Sequence, residues 1–212
     1  MIKHRQHIVA FRKASFPLPS GVSPINISEF IDGATSSIFI GRRHELEHND
    51  EFGQALPYIV IRQGGHLFAY RRTKMVGEER LAGMRSIGIG GHVDLSDVRY
   101  STDSIIDVVG TFAGAIRREM NEEVSFTDPE GKLLTFDQLE IIPTVVAMIN
   151  DDSDDVGRVH YGILCLLNLP HGYTARVIEE ELDNEGFTDP AAIAGCENWS
   201  RLAIDYIREH HA

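Results

Sequence analysis

The residues best suited to chemistry lie in one run, residues 117–126, with the sequence RREMNEEVSF. On a helix, positions three or four apart share a face, so Glu119, Glu122 and Glu123 should project together. Carboxylates this close repel one another, and each like-charged pair costs about a few tenths of a kcal/mol on an isolated helix. A divalent cation would remove that repulsion, and Mg²⁺ and Mn²⁺ prefer oxygen ligands. The spacing therefore indicates a metal site, with a solvated acidic helix face as the alternative.

An apolar stripe on the same segment predicts the helix that would position these carboxylates. Its members are Phe112, Ala113, Ile116, Met120 and Val124. Apolar residues at this spacing mark a helix that packs one face against a core. We therefore predict a helix over about residues 107–124. The acidic face begins beside the stripe, so the carboxylates should lie at the edge of a crevice rather than far out in solvent.

Positive charge is concentrated upstream in this otherwise acidic chain. Arg71, Arg72, Lys74, Arg80 and Arg85 fall within one stretch, residues 71–85. An arginine can bind phosphate through two N–H groups at once, so the cluster would suit a phosphate-rich substrate beside a metal site. The alternative is an ordinary solvated hairpin face.

Composition restricts the classes of protein. At 212 residues with 42% hydrophobic content, the chain suits one domain with a sizeable core. A net charge of -12 argues against general binding to nucleic acid or to anionic membrane, because both need a basic surface. No apolar run approaches the length of a membrane span, and the first residues lack a signal-peptide core. We expect a cytoplasmic protein. Cys165 and Cys196 have no spacing that predicts a disulfide framework.

A second candidate metal motif is the segment from His44 to His48, which formally matches the HExxH pattern of zinc proteases. That chemistry needs both histidines on one face of a buried helix. Leu46 is the only apolar residue inside the pattern. The segment therefore favours a solvated polar turn over a zinc site.

The rest of the chain predicts further strands and helices. Strands are expected over residues 6–12, 36–42, 55–63, 66–72, 135–149, 159–169 and 174–182. A short helix should begin at Asn26 or Ser28 and end at Gly33, and an amphipathic helix should close the chain. Gly64-Gly65 predicts a hairpin turn. We interpret residues 1–50 as an N-terminal extension packed on a main domain of residues 51–212.

The order strand, Gly-Gly, helix resembles that of the Nudix family, in a bacterial branch. The motif of that family is usually written G-x5-E-x7-R-E-U-x-E-E-x-G-U, where U is a bulky apolar residue. Gly91 resembles the glycine at its start. Its second half is matched by Arg118, Glu119, Met120, Glu122, Glu123 and Phe126. The resemblance covers about residues 55–210.

The chain departs from that motif ahead of the helix. Gly91 and Arg118 are 27 positions apart, against 14 in the motif, so about thirteen residues are inserted. Counted back from Arg118, the first glutamate of the motif falls on Gly110. The candidate substitutes are Asp94, Asp97 and Asp107.

The resemblance implies an α/β fold, a Nudix-like α/β/α sandwich with a mixed β-sheet. It also implies hydrolysis of a diphosphate linkage, commonly in a nucleoside diphosphate joined to another group. Carried over by position, the ligands of Mg²⁺, or of Mn²⁺ in its place, would be Glu119, Glu122, Glu123 and the carbonyl of Gly91. Catalysis would depend on Glu119, Glu122 and Arg118, with Glu119 removing a proton from water and Arg118 orienting a carboxylate.

The resemblance assigns roles to other charged residues as well. Arg71, Arg72 and Arg80 would steady the phosphates of a small nucleotide-type substrate. Glu181, Asp183 and Glu185 are alternative bases outside the motif. Two other functions stay open, a nucleotide-binding or regulatory domain without turnover and a diphosphate isomerase. A homodimer is one assembly that the family allows.

Overall fold

A computed structural model of the chain describes residues 6–15, 17–73, 82–179 and 182–211. Its contacts divide the chain into two compact units. The first comprises Met1–Tyr58, Gly90–Ile116 and Val145–Leu164, and the second comprises Ile59–Ile89, Arg117–Thr144 and Cys165–Ala212. Residues 6–50 thus cluster with two later segments of the chain.

The described residues form both strands and helices. The strands are β1 His7–Arg12, β2 Gly21–Pro24, β3 Ile38–Arg42, β4 Phe52–Gln63, β5 His66–Arg72, β6 Arg85–Ser86, β7 Gly88–Ile89, β8 Val124–Thr127, β9 Leu133–Leu134, β10 Thr144–Asn150, β11 His160–Asn168, β12 Thr174–Val177 and β13 Leu182–Thr188. The helices are α1 Ile27–Ser37, α2 Arg43–Leu46, α3 Val108–Glu123, α4 Phe136–Leu139 and α5 Asn198–His210. Within the described ranges, no helix has the length and apolar content needed to cross a bilayer.

In the first unit, β1 pairs antiparallel with β3 on one side and with β4 on the other. Strand β10 pairs antiparallel with β2. Three rings pack together beside these strands: Phe11 lies 6.1 Å from both Phe30 and Phe112, which lie 5.8 Å apart. This aromatic contact joins α1 and the first turns of α3 to β1.

In the second unit, β4 and β5 form the predicted hairpin, with Gly64 at φ 57° in the turn. Strand β13 pairs antiparallel with β5, and β12, β8 and β9 form a separate three-stranded sheet. Strand β11 lies beside β4, where Leu169 N donates to Arg62 O at 2.7 Å. Near the other end of the two strands Gly53 lies against Tyr161, so β4 and β11 run in the same direction. The mixed sheet of the predicted α/β fold is confirmed.

Most predicted elements are present, and three predictions were wrong in part. The strand predicted over residues 174–182 is β12, which ends at Val177. The short helix begins after Asn26, whose side chain accepts from the backbone N–H groups of Ser28 and Glu29, but α1 continues beyond Gly33 to Ser37. It continues because Phe30 and Ala34 bury one face of it.

The strand predicted over residues 135–149 begins only at Thr144. Thr135 and Gln138 form a capping box, in which each side chain binds the other residue's backbone N–H, and this starts helix α4 instead. Glu140, at φ 54°, ends that helix in the left-handed region. Local hydrogen bonding thus overrides the apolar pattern of the segment.

Candidate active site

Helix α3 carries the acidic run, as predicted. Asp107 begins it: its carboxylate accepts from Gly110 N at 3.0 Å, and its carbonyl accepts from Thr111 N at 2.9 Å. The buried face includes Phe112, Ala115, Ile116 and Met120. Ala113 was assigned to this face but is exposed, and Ala115 takes its place. Burial of one face fixes the rotation of the helix and so decides which carboxylates are drawn inward.

Glu119 lies on the inner side of the acidic face and is 7% exposed. Arg118 Nη1 donates to Glu119 Oε1 at 2.7 Å and to Glu122 Oε2 at 3.3 Å. The side chain of Glu122 is 61% exposed. One arginine therefore holds two of the three motif carboxylates, one buried and one in solvent.

Glu119 and Glu123 form a hydrogen-bonded pair one turn apart. Burial raises the pKa of Glu119, and the Arg118 guanidinium opposes that rise. Burial, followed by the charges of Glu119 and Glu179, raises the pKa of Glu123 to about 8, and Arg72 opposes the rise. A charge on Glu119 disfavours a second charge on Glu123, so near neutral pH the pair shares one proton.

This pair fits a divalent cation through its chemistry. Both donors are carboxylate oxygens, and a cation would neutralise the repulsion that the shared proton now relieves. Within the described ranges, no three His, Cys, Asp or Glu side chains are gathered as a ready-made metal site. Magnesium is commonly held by one or two carboxylates completed by water and substrate phosphates, which matches a pair better than a closed cage. Gly91, the predicted carbonyl ligand, belongs to the first unit, and its role stays a prediction.

The clustered arginines take different places. Successive residues of a strand point to opposite faces of the sheet, so Arg71 and Arg72 diverge. Arg72 acts on the Glu123 carboxyl, whereas Arg71 Nη2 lies 2.9 Å from Glu185 Oε1 and Arg71 Nη1 donates to Gly83 O at 2.9 Å. Lys74 and Arg80 lie outside the described residues. Arg72 is therefore the predicted phosphate ligand that the structure brings to the carboxylates.

The alternative bases are also separated. Glu185 accepts from Arg71 and, at 2.6 Å, from Arg85, which leaves its carboxylate engaged by two guanidinium groups. Asp183 is exposed, and Glu181 lies outside the described residues. Glu179, whose charge acts on Glu123, was missed by sequence reasoning, although it stands in the acidic run that follows β12.

In the first unit, the candidate substitutes for the missing motif glutamate support the backbone. Asp97 accepts from Asp94 N at 2.9 Å, and Asp94 accepts from the Gln6 side chain at 2.6 Å. Asp107 caps α3. A Cβ at Gly110 would lie 2.4 Å from Asp107 Oδ2, so any larger residue there would displace the cap.

The first three residues of the HExxH segment lie in the four-residue helix α2, and Glu47 and His48 follow it. His44 and His48 are both exposed, with ring centroids 5.9 Å apart. This position agrees with the solvated interpretation of the motif.

Comparison with known proteins gives a shared fold. No family model matches the sequence. Protein YmaB of Bacillus subtilis (strain 168) is 31% identical over 144 residues, which are 66% of this chain and 61% of YmaB. The match therefore spans less than two thirds of that relative.

Among solved structures, Tm1382, described as a candidate Nudix hydrolase, is similar with a TM-score of 0.70 and 22% identity, over 96% of this chain and 98% of that one. A match of that extent includes most of residues 1–50. The MutT NUDIX hydrolase from Burkholderia pseudomallei has a TM-score of 0.37 at 15% identity, over 72% of this chain and 96% of its own, which is too low to bear on the fold. The likeness to Tm1382 confirms the predicted Nudix-like α/β fold.

Proposed function

We propose that this protein hydrolyses a diphosphate linkage in a nucleoside diphosphate joined to another group, with Mg²⁺ as cofactor. The observation that carries the proposal is the hydrogen-bonded Glu119–Glu123 pair on helix α3, in which Glu119 is buried and bound by Arg118. Stability alone does not favour burying two adjacent carboxylates. The fold shared with Tm1382 supports the proposal, because that protein is described as a candidate Nudix hydrolase.

Glu119 and Glu123 would hold the cation, with Glu122 beside them and the carbonyl of Gly91 as the remaining predicted ligand. Mn²⁺ is the alternative ion. Bound Mg²⁺ would supply charge neutralisation at the diphosphate and a lower pKa for a bound water. The protein's own contribution is a fixed set of oxygen donors on one rigid helix.

Glu119 is the proposed general base. Burial raises its pKa, so its carboxylate can accept a proton nearer neutral pH than a solvated glutamate can. The oxygen of water bonds to phosphorus, the bridging P–O bond breaks, and the proton of the water passes to Glu119. Arg118, 2.7 Å from Glu119, would keep that carboxylate turned toward the reacting water.

Arg72 is the proposed phosphate ligand. Its charge already acts on Glu123, so a diphosphate bound at the carboxylates would lie within the same electrostatic field. Arg71 and Arg80 remain predicted contacts. Arg71 would have to leave its ion pair with Glu185 to reach the substrate.

A second function, nucleotide binding without turnover, is favoured by one observation. Gly110 stands where the motif has its first glutamate, and the nearby Asp107 is committed to capping α3. A site with fewer carboxylates could bind a diphosphate without hydrolysing it.

A substrate panel decides between these functions. Purified protein with Mg²⁺ is incubated with nucleotide conjugates, and released phosphate or nucleoside monophosphate is measured. Tight binding of one conjugate with no cleavage of any would refute hydrolysis and support binding alone. A rearranged product with its diphosphate intact would instead indicate an isomerase.

Replacing Glu122 tests the assigned site. The side chain is 61% exposed, so Glu122→Gln should leave the free energy of unfolding nearly unchanged. We expect its Mg²⁺-dependent kcat/KM to fall about 10- to 100-fold, equivalent to about 1.4–2.7 kcal/mol of transition-state stabilisation. Glu130→Gln, at an exposed position away from α3, is the matched control. Equal activity in both variants would remove Glu122 from the mechanism.

A further inference from the structure

The first unit contains a pair of imidazoles that the proposed hydrolysis does not use. His92 follows Gly91, and His160 is the first residue of β11. Gln54, in β4, lies beside them. Gln54 is fully buried and His160 is 9% exposed. His92 is half-buried, and the three polar side chains come from distant parts of the sequence.

Two ring nitrogens and one amide oxygen lie close together there. His92 Nε2 lies 2.9 Å from Gln54 Oε1 and 3.3 Å from His160 Nε2. The two ring centroids are 5.3 Å apart, with an angle of 67° between the rings. The single proton of His92 Nε2 thus faces two acceptors. The separation of the two nitrogens is longer than the usual range of about 2.7–3.2 Å for an N–H donor.

The tautomer of His160 is set by its other nitrogen. His160 Nδ1 lies 2.6 Å from the carbonyl oxygen of Val156. A carbonyl only accepts, so Nδ1 carries the proton and Nε2 presents its lone pair toward His92. A backbone carbonyl in this position is the usual outer partner of a histidine that binds a metal through Nε2.

The distances between the two imidazoles also match those expected when two histidines bind the same metal ion. Two imidazole nitrogens bound to one tetrahedral zinc at about 2.0–2.1 Å lie about 3.3–3.4 Å apart, and the ring centres then lie about 5.2 Å apart. The observed spacings of 3.3 Å and 5.3 Å agree with both values. The two imidazole nitrogens therefore already stand at the separation of a shared zinc, whereas Gln54 Oε1, 2.9 Å from His92 Nε2, would shift outward to join them.

We propose that His92, His160 and Gln54 form a binding site for a divalent transition-metal cation of the zinc type, distinct from the carboxylate site. Two imidazole nitrogens select such an ion over Mg²⁺, which prefers oxygen donors. The Gln54 carbonyl oxygen supplies a third ligand, and the fourth position is left to water or another oxygen. On binding, the proton of His92 moves from Nε2 to Nδ1, so the protein releases no proton.

The state of Gln54 supports this site. Its amide nitrogen is buried and has no hydrogen-bond partner among the described residues. Such a group normally has a partner or another reason to be buried. Aiming Oε1 at the two imidazoles provides that reason.

Cobalt binding tests the proposal. The full chain is stripped with a chelator and titrated with Co²⁺ in excess Mg²⁺, which occupies the carboxylates. We expect one equivalent with the visible absorption of a tetrahedral site, displaced by Zn²⁺. His92→Ala and His160→Ala should each weaken binding at least tenfold. The matched control is the double variant His44→Ala/His48→Ala, because that exposed pair is the competing histidine site.

Loss of binding in the His44/His48 control alone, or in none of the variants, would overturn the proposal. If the buried-site variants fail to fold, imidazole ¹⁵N NMR of the unsubstituted protein decides instead. Zn²⁺ should move the Nε2 signals of His92 and His160, and the absence of that change is equally contrary to the site. Neither result depends on whether the protein hydrolyses a diphosphate.

Discussion

Replacing Glu123 with glutamine should stabilise the metal-free protein at alkaline pH. The pKa of Glu123 is about 8 in the folded protein, against 4.5 for an ordinary glutamate. Between these values the folded state holds a proton that the unfolded chain releases. The stability that Glu123 contributes is therefore complete below pH 4.5 and is lost as the pH rises through 8. Glutamine cannot ionise, and its amide N–H₂ can still donate to Glu119.

The size of the effect follows from the shift. At about 1.4 kcal/mol per pKa unit, the full change across this window would be about 5 kcal/mol. The variant does not recover the whole of this change, because part of the shift comes from the charge of Glu119, which stays buried. We therefore expect the free energy of unfolding to increase by an amount on the order of 3 kcal/mol at pH 9. For a chain of this length, 1 kcal/mol changes Tm by about 2–4 °C. Tm should rise by about 6–12 °C at pH 9 and change little at pH 5.

The assay is calorimetry of chelator-treated protein between pH 5 and pH 9. Glu130→Gln serves as the control, because that side chain is exposed and should leave the pH profile unaltered. Mg²⁺ should also raise the Tm of the unsubstituted protein more at pH 9 than at pH 6, and this gain should shrink in the Glu123 variant. Parallel Tm–pH curves for the Glu123 variant and the unsubstituted protein would refute the assignment of a buried, shared proton.

Three further substitutions test contacts of the described residues. Arg72→Ala should raise KM for a diphosphate substrate about tenfold, whereas Arg71→Ala should change KM less and lower stability by up to about 1 kcal/mol through its lost ion pair. Steady-state kinetics and urea unfolding separate these effects, and a larger KM change in Arg71→Ala would reverse the two roles. A Cβ at Gly157 would lie 2.0 Å from the Asp151 carbonyl oxygen, so Gly157→Ala should lower stability by about 1–3 kcal/mol. Gly65→Ala, where a Cβ meets nothing within 4 Å, is the control for urea unfolding, and equal midpoints would contradict the predicted clash.

Local patterns predicted most of the elements that carry the candidate site. The helix expected over residues 107–124 is α3, Val108–Glu123, because apolar spacing depends only on nearby residues. The hairpin of β4 and β5 was predicted for the same reason. The region after Thr135 was misjudged because a capping box competes with an apolar run, and the pattern alone does not rank the two.

The candidate site was predictable in composition but not in arrangement. Spacing placed the three glutamates on one helix face. Only the packing of α3 decided that Glu119 is buried while Glu122 faces solvent. Strand alternation separates Arg71 from Arg72, yet only the tertiary structure decides which of the two acts on Glu123.

The sequence by itself determined the carboxylate helix and the resemblance of its motif, because each depends on residues within a few turns of one another. The tertiary structure alone decided which carboxylates share a proton, since that depends on burial and on the distant charges of Glu179 and Arg72. It also brought His92 to Gln54 across 38 positions and to His160 across 68. Strand pairing creates such meetings, and no local periodicity encodes them.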